Sequence, residues 1–267
     1  MSLTIGVGPL AKPLKGQLNA DVSAAPAHLI YVHDVAKHIR GELAGVTIVD
    51  SDRTVALHET ALLPQWYFPL VDIRSGVLVE SEHQTHCPFK GDARYWDLRV
   101  GDTIVRDAVW NYPNPLPGAP DLAGLAGFYL DRLDAWYEED EPILGHPTDP
   151  FHRVDTRHSS RQVTVSVRGE KVADTRSPVA LFETGLPTRW YIPSGDVDHA
   201  SLTKSAKTTV CPYKGTTEYF HYTGPQGQVS DVAWSYPDPL GEALAIAGHL
   251  SFDGDEVEVS VGSYEGP

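Results

Sequence analysis

Cys87-Pro88-Phe89-Lys90-Gly91 decides the architecture of this chain because it returns, 124 residues later, as Cys211-Pro212-Tyr213-Lys214-Gly215. The two cysteines of the sequence thus occupy equivalent places. The same offset holds without a gap from about Ile39/Val163 to Leu116/Leu240. Roughly a third of the paired positions are identical, so one unit stands twice in tandem.

Outward from that motif, the pattern is one of short strands. Val163, Val165 and Val167 alternate with polar residues, as on a strand with one buried face. Arg168-Gly169-Glu170 reads as a hairpin turn into a second strand. Short apolar runs follow at Val55-Ala56-Leu57 and Val179-Ala180-Leu181, closed by Glu59-Thr60 and Glu183-Thr184. Trp66-Tyr67-Phe68-Pro69 and Trp190-Tyr191-Ile192-Pro193 are further strands, each proline holding the residue before it extended. One helical turn is expected after Asp72 and after Asp196, and an alternating edge strand at Val257–Val261. With 21 prolines and frequent turns, the prediction is a mainly β chain with scarce helix: two small antiparallel β domains, tent- or barrel-like, related by a pseudo-twofold. The expected boundaries are an N-terminal arm over 1–37 without a counterpart in the second copy, a first repeat over 38–141, a linker over 142–160 and a second repeat over 161–267. The arm is rich in Gly, Ala and Pro, and the linker opens on an acidic stretch.

Composition narrows the partners. A formal charge of −15 opposes a phosphate backbone or an anionic membrane surface, so neither nucleic acid nor membrane is expected. No apolar run reaches the about 20 residues of a membrane helix. Two cysteines in matching copies do not form a disulfide framework; they read as free thiols of a reducing, cytoplasmic compartment. The expected partner is a small molecule, and the duplicated chain is expected to form an intrachain pseudo-dimer compatible with a monomer.

The Cys-Pro-x-Lys-Gly turn is the sharpest chemical candidate. A lysine three residues from a thiol can lower its pKa and make Cys87 or Cys211 nucleophilic; alternatively Lys90 or Lys214 hooks an anion, or the thiol is core. Glu59 and Glu183 end apolar strands and are candidates to pair with those lysines, which would supply acid–base chemistry or a structural salt bridge. His83 and His86 beside Cys87 lack an evident further ligand, and the second copy carries Lys207 and Val210 there, so no metal is expected. His86 is retained as a candidate proton carrier, which favours the first copy as the polar one. Tyr67, Tyr95, Trp110 and Tyr112, with Tyr191, Tyr219, Trp234 and Tyr236, can wall a pocket or fill a core.

These stretches resemble the bacterial domain of unknown function 427, also catalogued under a nucleotidyltransferase-like label. The resemblance rests on Ala173-Asp174-Thr175-Arg176, Leu181-Phe182-Glu183-Thr184-Gly185-Leu186-Pro187, Arg189-Trp190-Tyr191-Ile192-Pro193, the Cys211 motif and Ala233-Trp234-Ser235-Tyr236-Pro237-Asp238-Pro239-Leu240. The first copy matches through Glu59-Thr60, the Cys87 motif and Trp110-Asn111-Tyr112-Pro113-Asn114-Pro115-Leu116. It implies a compact β domain similar to the β-tent folds of methionine sulfoxide reductase B and zinc-bearing relatives. Their paired zinc cysteines have no equivalent here, with one cysteine per copy. The nucleotidyltransferase label implies clustered carboxylates for Mg²⁺, which the sequence does not offer. The expectation is a pocket in each repeat with Glu59, Cys87 and Lys90, or Glu183, Cys211 and Lys214, on its floor. It binds a polar or anionic metabolite, with or without catalysis; the alternative is a structural or protein-interaction module. The cofactor is unknown.

Overall fold

The computed structural model describes residues 28–264; the arm expected over Met1 to Ala27 lies outside them. Backbone contacts divide the chain into two units, Met1–Asp149 and Pro150–Pro267. The first holds β1 (Ile30–Asp34), β2 (Ile39–Leu43), β3 (Val46–Ser51), β4 (Val55–Glu59), β5 (Gln65–Pro69), β6 (Leu78–Cys87), β7 (Gly91–Val100), β8 (Thr103–Asn111), β9 (Leu125–Phe128), β10 (Ala135–Glu138) and β11 (Glu141–Pro142). The second holds β12 (Val154–His158), β13 (Val163–Val167), β14 (Glu170–Thr175), β15 (Val179–Glu183), β16 (Arg189–Pro193), β17 (Leu202–Lys204), β18 (Val210–Cys211), β19 (Gly215–Thr216), β20 (Glu218–Gly224), β21 (Gly227–Ser235), β22 (His249–Phe252) and β23 (Val257–Val261). The chain is mainly β, as its turns and alternation predict, and every helical stretch among the described residues is a short 3₁₀ turn. No described helix is long and apolar enough to cross a membrane.

Each unit repeats one topology. A seven-stranded antiparallel sheet runs β1-β4-β5-β9-β8-β7-β6 in the first and β12-β15-β16-β22-β21-β20-β17 in the second. A smaller sheet runs β11-β10-β2-β3, matched by β14-β13-β23. Neither large sheet closes on itself. The hairpins β2–β3 and β13–β14 turn on Ala44-Gly45 and Arg168-Gly169, all four residues at positive φ. That geometry matches the twist of the flanking strands.

The repeat reaches further than the gapless stretch suggests. Residues 30–34, expected in an arm without a counterpart, form β1, which pairs with β4 as β12 pairs with β15. Residues 154–158, expected in the linker, are β12. Both are edge strands with few buried residues and no regular alternation to announce them. The helical turns also fall earlier than expected, at Leu70–Asp72 and Ser194–Asp196, with a second turn at His199–Ser201. Val257–Val261 is the expected edge strand, but Val259 and Val261 remain exposed.

The large sheet is apolar on both faces, and strand alternation assigns each residue its side. In β5, Trp66 and Phe68 join Ile39, Ile48, Leu98 and Trp136 in the core beneath the small sheet. Tyr67 between them joins Leu57, Tyr95, Trp110, Tyr112 and Leu122 on the opposite face. In β16, Ile192 packs with Val163, Val165 and Phe252, whereas Tyr191 packs with Leu181, Tyr236 and Ile246. The aromatic residues therefore fill two roles, and only the second face carries the candidate chemistry.

Candidate functional site

The Cys-Pro-x-Lys-Gly motif is the turn that aims the lysine. In the second repeat, Lys214 N–H donates to Cys211 C=O at 3.3 Å, which places Pro212 where its fixed φ suits a tight turn. Leu240 N–H donates to Lys214 C=O at 3.2 Å, and Leu116 N–H does the same to Lys90 C=O at 3.1 Å. Gly91 and Gly215 follow at φ +107° and +101°. A Cβ at Gly215 would stand 2.9 Å from Asp238 C=O, so this position excludes side chains on two grounds.

Each lysine then reaches the glutamate at the end of the second strand from the sheet edge. Lys90 pairs with Glu59, and Lys214 with Glu183. Glu59 and Lys90 are only 6% and 7% exposed, Lys214 8%. The other carboxylate oxygen meets an unanticipated group: His28 Nε2 lies 2.8 Å from Glu59 Oε1, and His152 Nε2 lies 3.0 Å from Glu183 Oε1. The two histidines are themselves 124 residues apart. Extending the offset upstream of Ile39/Val163 would have found them, but the intervening residues have diverged.

The remaining motif residues hold that histidine. Leu29 N–H donates to Thr60 Oγ1 at 2.9 Å, and Arg153 N–H to Thr184 Oγ1 at 2.9 Å, so the threonine of each Glu-Thr pair clamps the residue after the histidine. Phe89 stacks on His28 at 3.7 Å between ring centres, and Tyr213 lies 4.4 Å from His152. This accounts for the aromatic residue inside the Cys-Pro-x-Lys-Gly motif.

The electrostatics favour a fixed charge pair. Burial opposes ionisation of Glu183, but hydrogen bonds from His152 and Lys214 outweigh it and hold the carboxyl below its ordinary range. Burial pushes the phenols of Tyr67, Tyr112, Tyr191 and Tyr236 up, so they stay protonated. Trp110 Nε1–H donates to Tyr67 Oη at 3.1 Å, and Trp234 Nε1–H to Tyr191 Oη at 3.2 Å. The Lys90 ammonium lies 5.6 Å from the centre of the Tyr112 ring.

The cysteines are half-buried against these aromatic clusters. The lysine expected to activate each thiol gives its charge to the glutamate instead. Neither cysteine is in a disulfide. His86, one residue before Cys87 on β6, lies on the opposite side of the strand, exposed and bonded to Asp92 at 2.6 Å. His83 packs edge-on against Tyr95, centres 4.5 Å apart. Among the described residues no group of three or more His, Cys, Asp or Glu is arranged to share a metal ion.

The repeats differ at the rim. In the second, a cleft of about 390 Å³ is lined by Glu183, Lys214, Tyr191, Tyr219, Trp234 and Tyr236, all singled out by sequence. Arg189, Lys207, Asp231 and Asp253 complete its charged wall. Arg189 pairs with Asp253 at 2.7 Å and Lys207 with Asp231 at 3.5 Å. At the offset of 124 the first repeat has Gln65, His83, Asp107 and Tyr129. There Gln65 donates to Phe128 C=O at 3.0 Å, and Trp110 packs on Tyr129 at 4.7 Å. Gly127 makes room for that ring, since a Cβ would come within 2.6 Å of it. The second repeat has Ser251 at this position and Trp234 is partly exposed, whereas Trp110 is buried. The first repeat has an opening of about 410 Å³ lined by His83, Asp97, Arg99, Arg106 and Asp107, whereas the opening on the second repeat also takes in Glu183 and Lys214 of the buried pair.

Comparison with curated proteins finds no match. A family profile matches residues 31–139 and again 155–263, together well over half of the chain. With the same fold and the same Glu–Lys pair in both matched segments, the chain belongs to the family described as domain of unknown function (DUF427), present twice in tandem.

Proposed function

We propose that the second repeat binds a small polar metabolite in its cleft, with Lys214 as the anchoring cation and Tyr191, Tyr219, Trp234 and Tyr236 as walls. The observation that carries this reading is the convergence of those residues on one opening of about 390 Å³, a size suited to a metabolite. Glu183 and His152 keep the ammonium oriented, and it has donors beyond the one used on Glu183. Binding is favoured over bond-making because the phenols are held protonated and the Lys214 ammonium is paired with Glu183.

The test is a ligand screen by thermal shift and tryptophan fluorescence on the whole chain, using amino acids, sugars, nucleosides and organic acids. The expected result is a compound that raises Tm, and whose effect is lost in Trp234→Ala but kept in the equivalent Trp110→Ala. Loss in Trp110→Ala alone, or no response to any class, overturns the assignment.

A further inference from the structure

The cleft on the second repeat carries a pattern of paired charge. Three cations line it, and each stands beside an acid: Lys214 with Glu183, Arg189 with Asp253, Lys207 with Asp231. A ligand carrying only negative charge would have to displace a carboxylate at whichever cation it met, leaving that acid unpaired. A ligand carrying only positive charge meets the mirror problem.

Of the three pairs, Lys207–Asp231 is the loosest. Its separation is 3.5 Å and Lys207 is 46% exposed, its ammonium 4.3 Å from the centre of the Tyr219 ring. Asp231 also has acceptor capacity to spare, because its Oδ1 is buried without a hydrogen-bond donor. His221 Nδ1 lies 3.3 Å from that oxygen but accepts the Asp231 backbone N–H at 3.1 Å, so the neutral ring has no proton there to give. Asp231 takes hydrogen bonds from Ser205 and Lys207, and its Oδ1 is the oxygen left without a donor, beside an ammonium held only at 3.5 Å.

On the reading that this cleft binds a small molecule, we infer that its ligand is a zwitterion of the aromatic α-amino-acid class. The ligand carboxylate takes Lys207, its ammonium takes Asp231, and neither protein charge is stranded. The ligand ring lies against Tyr219 and Trp234, whose centres are 6.3 Å apart. The first repeat has His83 in place of Lys207, and Gln65 and Tyr129 in place of the Arg189–Asp253 pair, so it lacks this clasp.

The experiment is calorimetric titration of the full chain with four probes: L-phenylalanine, N-acetyl-L-phenylalanine (anion only), L-phenylalaninamide (cation only) and glucose (neutral). L-Phenylalanine is expected to bind, with both singly charged analogues weaker by about tenfold or more, the scale of one lost charge-assisted hydrogen bond. Lys207→His, an exposed position that takes the first-repeat residue, should cost a similar factor with Tm unchanged. If glucose or the N-acetyl compound binds as well as L-phenylalanine, and Trp234→Ala removes that binding, the zwitterion inference falls while the cleft assignment stands. If none of the four binds and the wider screen is also silent, both fall.

Discussion

Glu183 and Lys214 meet with no more than a tenth of either side chain open to solvent, so neither charge tolerates losing the other. Lys214→Met should destabilise the second unit by about 3–5 kcal/mol, because it leaves a buried carboxylate with only His152 beside it. Lys214→Met combined with Glu183→Gln should cost clearly less than the sum of the single changes; additive losses in denaturant titration would contradict a coupled pair. The pair also sets an acid limit. The folded pKa of Glu183 lies below its ordinary 4.5, so the folded state binds fewer protons than the unfolded state in that window. Its contribution is complete above about pH 4.5 and is lost as pH falls through the folded value; Glu183→Gln should flatten that limb. His58 in the first unit acts in a higher window. Burial pushes its pKa below the ordinary 6.5; Asp149, 4.0 Å from Nδ1, opposes this, and His33 adds to it. The unfolded chain takes up the proton first as pH drops below 6.5, so stability declines from that point downward. His58→Phe, which installs the second-repeat residue Phe182, should remove the decline that sets in below pH 6.5 in a pH series of melting curves.

The elements show how one topology accommodates two sequences. In the first unit Gly41 on β2 faces Trp136 on β10, and a Cβ at Gly41 would lie 2.7 Å from the indole. In the second unit the matching positions hold Val165 on β13 and Val259 on β23, the latter exposed, with no large aromatic residue over the strand. Gly41→Val should therefore destabilise by about 1–3 kcal/mol through overpacking, and in combination with Trp136→Val the loss should be smaller than the sum of the two single losses. Chemical denaturation of the three variants checks this, and additive losses would mean that the two residues do not pack as a unit. Such exchanges explain what could be read from the chain. Strand β13 was legible because its valines alternate with polar residues, and β5 and β16 because each is a short aromatic and apolar run closed by a proline. The turn at Lys90 and Lys214 was legible because Pro and Gly each meet a backbone demand there. The strands β1 and β12 were not, because each lies at the edge of its sheet and holds few buried residues, so His28 and His152 disappeared into an arm and a linker. The rim of the cleft was not legible either. Arg189, Asp231 and Asp253 come from three strands or strand ends distant in sequence, and only folding brings them beside Lys207.

At the scale of the molecule, each unit has its own large sheet, small sheet and pair of apolar clusters, the ingredients of a domain that folds alone. The placement of β12 makes this a sharp prediction about where the second domain starts. A fragment of residues 150–267 retains β12 on the edge of its seven-stranded sheet, five backbone pairings with β15, and His152 on Glu183. A fragment of residues 161–267, the boundary that alternation alone suggests, loses all three. It also uncovers Val179 and Leu181, which pack with Val154 beneath that edge, and strips the Glu183–Lys214 pair of its third member. The longer fragment should give a single cooperative unfolding transition, whereas the shorter one should show a transition that is lower by several kcal/mol or absent. Circular dichroism with urea titration of both separates the cases. Equal stability would mean that β12 and His152 are appendages of the second domain and not part of its closure, and the role assigned to His152 in holding the lysine would fall with it.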